Sequence, residues 1–459
     1  MRARARLAAL AARTAGRASR VLGRGGGTSL PGRVMLALDP HGVADLAAAL
    51  AGGTAVVSAT NGKTTTTRLL AAALRADGRR VVTNAAGANL LTGVAASLAE
   101  AAPHAAPGAC GVFEVDEAAL PAVSLRVRPD VTLLMNLFRD QLDRHGELEA
   151  IGDRWSAMLR QRDPGHLVLC GDDPLIAALP PLGARVTWFG IDDPAVAAAA
   201  LPHAADSTRC RGCGSPLTYE AVWVGHVGNW RCGGCGLHRP VPDVAVMEAR
   251  LDGARGSHPL VRTPEGLVSM RLALPGLHNV LNATAALAAA MAMGVRATRA
   301  AEAITREPAA FGRAERVDVD GREVVLLLAK NPAGANENVR TLMLDDGDHH
   351  LLVALNDRIA DGRDVSWIWD VDWEPLLPRV RALTATGDRA HDLALRFRYA
   401  GLPDEVLHVE PDHRAALATA LAGVPPGGIL DVLPTYTAMH EIRADLVARG
   451  AAADFWEGA

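Results

Sequence analysis

The chain has 459 residues, 49% hydrophobic and 21% charged, with a net charge of −4. That is the composition of a soluble globular protein of two or three domains. It leaves no basic footprint for nucleic acid, and only 4% of residues are aromatic, too few for a base-stacking surface. No stretch is apolar for long enough to span a bilayer: the longest candidate, "ATAALAAAMAMGV", is too short.

The first segment, "MRARARLAALAARTAGRASRVLGRGGG", is rich in arginine and alanine and contains no acid. It reads as a short helix packed on the body, then a glycine linker, with residues 1–34 forming one N-terminal unit. A transit peptide or membrane-surface helix is the competing reading. The segment lacks a secretory apolar region, so a cytoplasmic location is expected.

"TAVVSATNGKTTTTRLL", Thr54 to Leu70, comes next. "TAVVSAT" is apolar and β-branched, as a buried strand is. Asn61 and Gly62 make a turn, and a helix follows with Leu69, Leu70, Ala73 and Leu74 on one side. A strand, a tight turn and a helix bring the first helical N–H groups, Lys63, Thr64 and Thr65 around one point. This is an anion cradle in which Thr64 can also ligate Mg²⁺. It departs from the usual phosphate loop, because Val57 stands where the first glycine belongs. Of 47 basic residues only Lys63 and Lys330 are lysine. In so arginine-biased a chain, a compact ammonium marks a place where a planar fork does not fit, so both lysines are site candidates.

"GVFEVDE" (Gly111–Glu117), "VTLLMNL" (Val131–Leu137), "HLVLCGDD" (His166–Asp173) and "RVTWFG" (Arg185–Gly190) read as buried parallel strands separated by helices. The fold class is α/β: a doubly wound central domain over residues 35–310, with ligands at the C-terminal strand ends. Cys110 and Cys170 lie in strand-like runs and are expected in the core. Residues 206–240 hold "CRGC" and "CGGC", two C-x₂-C pairs formed by Cys210, Cys213, Cys232 and Cys235. Each pair is followed by glycine, as a tight knuckle needs. The spacing is that of a tetrahedral structural Zn²⁺ site inserted as a zinc ribbon. "ALPGLHNVLNATAALAAAMAMG" returns to the body, with Asn279 and Asn282 near a helix start. From "FGRAERVDVDG" (Phe311–Gly321) a second, Rossmann-like α/β domain spans residues 311–459. Its strands are expected in "EVVLLLAKNPAG", "HLLVALND", "ALTATGD", "EVLHVE" and "GGILDVLPTY".

"ATNGKTTTT", "FEVDE", "NLFRDQLDRHGE", "LHNVLNATAA" and "FGRAERV", in that order, resemble the Mur ligase superfamily of ATP-dependent amide-forming enzymes, from about residue 30 onward. The family's loop is T-N-G-K-T and needs no distant first glycine, although Ala59 stands where glycine is commoner. The resemblance implies that ATP phosphorylates a carboxylate to an acyl phosphate and that an amine then displaces phosphate. Asn61, Gly62, Lys63, Thr64 and Thr65 would cradle the nucleotide, with Lys63 on the β/γ-phosphates. Thr64 and Glu114 would hold Mg²⁺, Asn282 with Asn279 would face adenine, and Arg313 would stabilise the transferred phosphoryl group. Lys330 would reach the nucleotide or acyl phosphate from the second domain on closure.

Three departures narrow the resemblance. Only about 30 residues precede the central domain where amino-acid-adding members carry a UDP-sugar domain. No lysine lies between Lys63 and Lys330 to be carbamylated, and Gln141 replaces a histidine. The zinc ribbon is foreign to the standard enzymes. These features, with "GRGGGTSLPG", "LAKNPAGANE" and "LNDRIADGRDVSWIWDVDWE", resemble the MurT branch of the superfamily. The branch implies amidation of the D-glutamate α-carboxylate in the stem peptide of lipid II, at the inner face of the membrane. Ammonia would come from a glutaminase partner of the GatD type, whose Cys–His pair this subunit completes with an aspartate. Asp364 aligns to that aspartate, with Asp357 and Asp361 as fallbacks. Trp367 and Trp369 are expected as packing or interface anchors. A stand-alone ligase of the folylpolyglutamate type is the alternative, and the missing carbamylated lysine weighs against it.

Overall fold

The computed structural model describes residues 2–21, 29–84, 87–102, 108–140, 148–161, 165–179, 183, 185–203, 205–308 and 313–452. The glycine linker, Gln141 and Phe311 lie outside the described residues, as does the side chain of Arg313.

The N-terminal helix runs over Ala3–Val21 and packs on helices Leu30–Leu38 and Leu91–Ala101. The expected boundary at residue 34 falls inside Leu30–Leu38. Pro31 sits in the first turn of this helix, where its missing N–H is no loss, and the helix continues to Leu38, with the Asp39 N–H returning to the Met35 carbonyl.

Six strands follow: β1 (Thr54–Ser58), β2 (Val81–Thr83), β3 (Cys110–Glu114), β4 (Val131–Leu134), β5 (His166–Cys170) and β6 (Val186–Ile191). The hairpin β7 (Leu217–Val224) and β8 (Val227–Cys232) comes next, then β9 (Val244–Leu251), β10 (Ser257–Thr263) and β11 (Gly266–Ser269). All but the hairpin form one sheet in the order β11-β10-β9-β6-β5-β4-β1-β3-β2. The pairings from β2 through β9 are parallel, as expected for a doubly wound domain. The end beyond β9 is antiparallel, an extension that the expected doubly wound sheet does not include. β1 is buried at all five positions, and the helix Leu277–Ala292 lies buried along most of its length. That helix is rich in alanine, which lets its backbone approach the sheet closely.

The second domain carries β12 (Arg313–Val319), β13 (Arg322–Leu327), β14 (His349–Ala354), β15 (Val380–Thr386), β16 (Leu407–Val409) and β17 (Ile429–Pro434). Their order is β12-β13-β17-β14-β15-β16, parallel except for the β12–β13 hairpin. Each strand-like run read from the sequence holds one of the strands β13 to β17.

The β7–β8 hairpin carries its cysteines at one end and plants the other in the body. Trp223, Val224 and Val227 join the core of the central domain. His226 is fully buried, its ring 4.7 Å from that of Phe138 and its Nε2 3.4 Å from Asp173 Oδ2. Trp230 Nε1 donates to the Gly171 carbonyl at 3.2 Å, and Arg239 pairs with Asp172 at 2.6 Å and Asp192 at 2.9 Å.

Candidate active site

β1 ends in the middle of its sheet, between β3 and β4, and the chain turns there through Ala59–Gly62 into the helix Lys63–Ala76. Gly62 has φ +88°, and a Cβ there would lie 2.0 Å from Asn282 Oδ1, so both conformation and space demand glycine. Asn136, just past β4, braces the turn: its Oδ1 accepts from Asn61 N at 2.9 Å and its Nδ2 donates to Asn61 O at 3.0 Å. Thr60 Oγ1 accepts from Phe138 N at 3.0 Å.

Lys63 is buried and folds back over its own loop. Its Nζ donates to Glu117 Oε2 at 2.7 Å, to Thr60 O at 3.2 Å and to Ala59 O. Burial is the largest single influence and disfavours both charges, lowering the lysine and raising the carboxyl, but the partner's charge and hydrogen bond, together with Glu114 and Asp140 around the lysine and Lys330 near the carboxyl, outweigh it. On balance the Lys63 pKa is raised and the Glu117 pKa lowered. The pair is an ammonium held by a carboxylate at a helix N-terminus, a position where a phosphate can take the carboxylate's place.

Glu114 is buried at the end of β3, its backbone fixed by the Asn84 side chain at 2.9 Å on both N–H and C=O. Thr64 is half-buried and Thr65 buried on the first helical turn. Asn282 Nδ2 donates to Asn279 Oδ1 at 3.0 Å, and Asn279 donates to Pro275 O at 2.7 Å. The two amides therefore form a chain that ends against Gly62.

The second domain closes onto this loop. Asn61 and Asn331 exchange amide hydrogen bonds, Asn331 Nδ2 to Asn61 Oδ1 at 3.0 Å and Asn61 Nδ2 to Asn331 Oδ1 at 3.3 Å. Asn331 Oδ1 also accepts from Gly334 N at 2.9 Å, capping the helix Pro332–Met343. Lys330 pairs with Asp140. Further along the helix, Arg340 donates to the carbonyls of Trp223 and Val196 in the central domain.

Four groups here were not singled out from the sequence: Glu117, Asn136, Asp140 and Asn331. Glu117 closes the quoted "FEVDE", and a lysine folded into a buried loop requires a counter-charge. Asn331 precedes proline at a helix start, a recognisable N-cap signature. Asn136 and Asp140 carry no such signal.

Asp364 stands apart from the loop. It is exposed, and Oδ1 accepts from Ser366 N at 2.9 Å; hydrogen bonding from Ser366 holds its carboxyl below the ordinary value, as an anion. The fallback Asp361 is buried and takes both the N–H and the hydroxyl of Thr437, at the start of the helix Tyr436–Ala448. Asp357 lies 3.7 Å from Arg389. Trp367 packs against the second core, while Trp369 is 44% exposed and edge-on to Tyr399 at 5.6 Å.

The thiols of Cys210, Cys213, Cys232 and Cys235 lie within 4.8 Å of one another. Gly212 N and Gly234 N each donate to a sulfur at 3.3 Å, and Gly214 and Gly236 take φ +75° and +77°. This donor set, all sulfur and without an oxygen, is compatible with a closed metal site. Cys110 and Cys170 are fully buried, and burial raises both thiol pKa values.

The Mur ligase middle domain family matches residues 57–220, and the MurT ligase C-terminal family matches residues 328–439. The chain is 32% identical over 439 residues to the "Lipid II isoglutaminyl synthase (glutamine-hydrolyzing) subunit MurT" of Streptococcus pneumoniae, covering 95% of this chain and 96% of that one. It is 29% identical to the protein of the same name from Staphylococcus aureus strain N315, covering 93% and 94%. Among solved structures it is similar in fold to MurF from Acinetobacter baumannii, with a TM-score of 0.67 at 20% identity over 91% of this chain and 80% of that one.

Proposed function

The chain belongs to the MurT family of the Mur ligases, and from that premise we propose that it is the synthetase subunit of a lipid II isoglutaminyl synthase. Its reaction would be ATP-dependent amidation of the D-glutamate α-carboxylate in the lipid II stem peptide, at the inner face of the membrane. The carboxylate oxygen attacks the γ-phosphorus and ADP leaves. Ammonia then attacks the acyl carbon, phosphate departs, and the nitrogen sheds a proton to give the amide. A GatD-type partner supplies the ammonia from glutamine.

The chain's own groups suit these steps. Lys63 would leave Glu117 for the β/γ-phosphates, with the first-turn N–H groups beside it. Thr64 and Glu114 would hold Mg²⁺, which neutralises phosphate charge when bound; both sit at the loop end of the sheet, and Glu114 raises the Lys63 pKa through its charge. Asn282 and Asn279 would support the base side of the site. Lys330 would exchange Asp140 for the transferred phosphate, and Arg313 would act on the same group. The four-sulfur cluster would hold Zn²⁺ in a structural role.

The observation that carries this reading is the exposed, ionised Asp364 in a chain whose two cysteines outside the ribbon are both buried. A carboxylate presented to solvent can orient a partner's imidazole. In the two-subunit complex, Asp364→Asn should cut glutamine hydrolysis by up to about 10⁴-fold. Amidation should recover when an ammonium salt replaces glutamine. Glutamate release and lipid II amidation, measured with each nitrogen source, decide the matter. Surviving glutamine-dependent activity removes Asp364 from this role, and failure of ammonium to rescue assigns it to assembly or the ligase site.

A further inference from the structure

The helix Ala3–Val21 faces the wrong way for a simple packing element. Its inward residues are small, namely Ala5, Ala8, Ala9, Ala12 and Gly16. Its two leucines point out, with Leu7 68% and Leu10 54% exposed. A helix selected for packing alone would turn leucine inward, where burial stabilises most.

At 3.6 residues per turn, Ala3, Leu7, Leu10 and Thr14 form one exposed stripe. Arg6 and Arg17 run exposed along one side of it and Arg4 along the other, while Arg13 lies half-buried below that edge with its Nε out of solvent. Arg4 donates to the Leu38 carbonyl at 2.9 and 3.1 Å, which brings Leu38, itself 46% exposed, beside the stripe. Arg2 is tied to Asp45 at 2.6 Å, but the exposed Arg6 and Arg17 meet no carboxylate among the described residues. The charge is segregated as well: the first 38 residues hold eight arginines and no acid, in a chain of net charge −4.

We propose that this face binds the surface of an anionic membrane. Leu7, Leu10 and Leu38 would enter the headgroup boundary, and the flanking guanidinium groups would meet lipid phosphates on stems long enough to stay at the interface. Negative charge is what the arginines complement, and apolar depth is what the leucines complement. The inference rests on the functional reading only for its location, because a lipid-linked substrate would be met there. Its test needs no turnover, so the two readings fail separately.

The test is flotation of the full-length protein with vesicles of phosphatidylcholine alone or with added phosphatidylglycerol. The anionic vesicles should be bound at least about tenfold more strongly, and high salt should abolish the difference. The exposed double variants Leu7→Ser/Leu10→Ser and Arg6→Gln/Arg17→Gln should each weaken binding about tenfold or more, with the melting temperature unchanged. Absence of flotation, equal binding to both vesicle types, or binding indifferent to both variants overturns the proposal. So does a concentration-dependent dimer that the leucine variant abolishes, which would make the face a contact between copies. Nucleic acid competing fully with vesicles would likewise overturn it.

Discussion

Replacing Glu117 with glutamine isolates the contact that holds Lys63 over its loop. The side chains of Lys63 and Glu117 are 9% and 7% exposed, so their 2.7 Å ion pair is little screened by water. Removing one member of a buried pair typically costs about 3–5 kcal/mol, because the other charge is left uncompensated. The carbonyls of Ala59 and Thr60 still solvate the ammonium, which places Glu117→Gln near the lower end, about 3 kcal/mol. A transition of this size shifts by about 2–4 °C per kcal/mol, so the nucleotide-free protein should melt roughly 6–12 °C lower.

The pH dependence has a definite sign. The Glu117 carboxyl, lowered from 4.5, contributes stability above that value that disappears as pH falls through its folded pKa. The Lys63 ammonium, raised from 10.5, contributes below that value and loses its contribution as pH climbs through its folded pKa. Between those limits the gap between wild type and variant should be flat, which scanning from pH 6 to pH 9 in roughly unit steps would check. Mg²⁺ and ATP should close much of the gap, since phosphate replaces the missing carboxylate and no ion pair has to be broken first. The nucleotide dissociation constant should therefore fall. An unchanged melting temperature would show that the pair is not made, and an equal loss with and without nucleotide would show that Lys63 does not leave Glu117 for phosphate.

Lys63→Ala should lower ATP-dependent amidation by roughly 10²-fold or more with circular dichroism unchanged, and near-full turnover would exclude the loop as the nucleotide site. Asn331→Ala removes both the amide exchange with Asn61 and a helix cap; the cap alone is worth about 1 kcal/mol. Asn331→Asp keeps the cap but cannot donate to Asn61, so it should recover thermal stability without recovering ammonium-dependent turnover. Elemental analysis should find about one zinc per chain. Cys210→Ser or Cys232→Ser should depress the melting temperature more than it alters ATP affinity, and a metal-free sample of full stability would count against the structural role.

The parallel strands of both domains were legible because each is a short apolar run bounded by polar turn residues, as at "HLVLCGDD" and "HLLVALND". The strand β9 was not, because "VAVMEARL" mixes buried and exposed positions without strict alternation, and β10, although it alternates in burial, carries Pro259 in its run. The loop could be located from its lysine, but not the lysine's resting partner. "FEVDE" offers three acids, and only the path of the chain after β3 brings Glu117 rather than Asp116 to Nζ. The seam between domains was invisible for a related reason. Asn61 and Asn331 are 270 positions apart, and no local pattern links two asparagines over that distance. The resemblance put Asp364 ahead of Asp361, but the residues themselves do not rank two aspartates in one polar turn; their difference in exposure comes only from the fold.

The hairpin that bears the cysteines has a consequence for engineering. Its distal end looks like a detachable ornament, but its near end supplies Trp223, Val224, His226 and Val227 to the interior beneath Phe138, and a Cβ at Gly225 would come within 2.7 Å of that ring. Phe138 in turn holds Thr60 of the Ala59–Gly62 turn. Trimming the whole cysteine-bearing hairpin would therefore remove a plug from the floor under the Ala59–Gly62 turn. A shortened enzyme would have to keep residues 223–227 and shed only the thiol-bearing end.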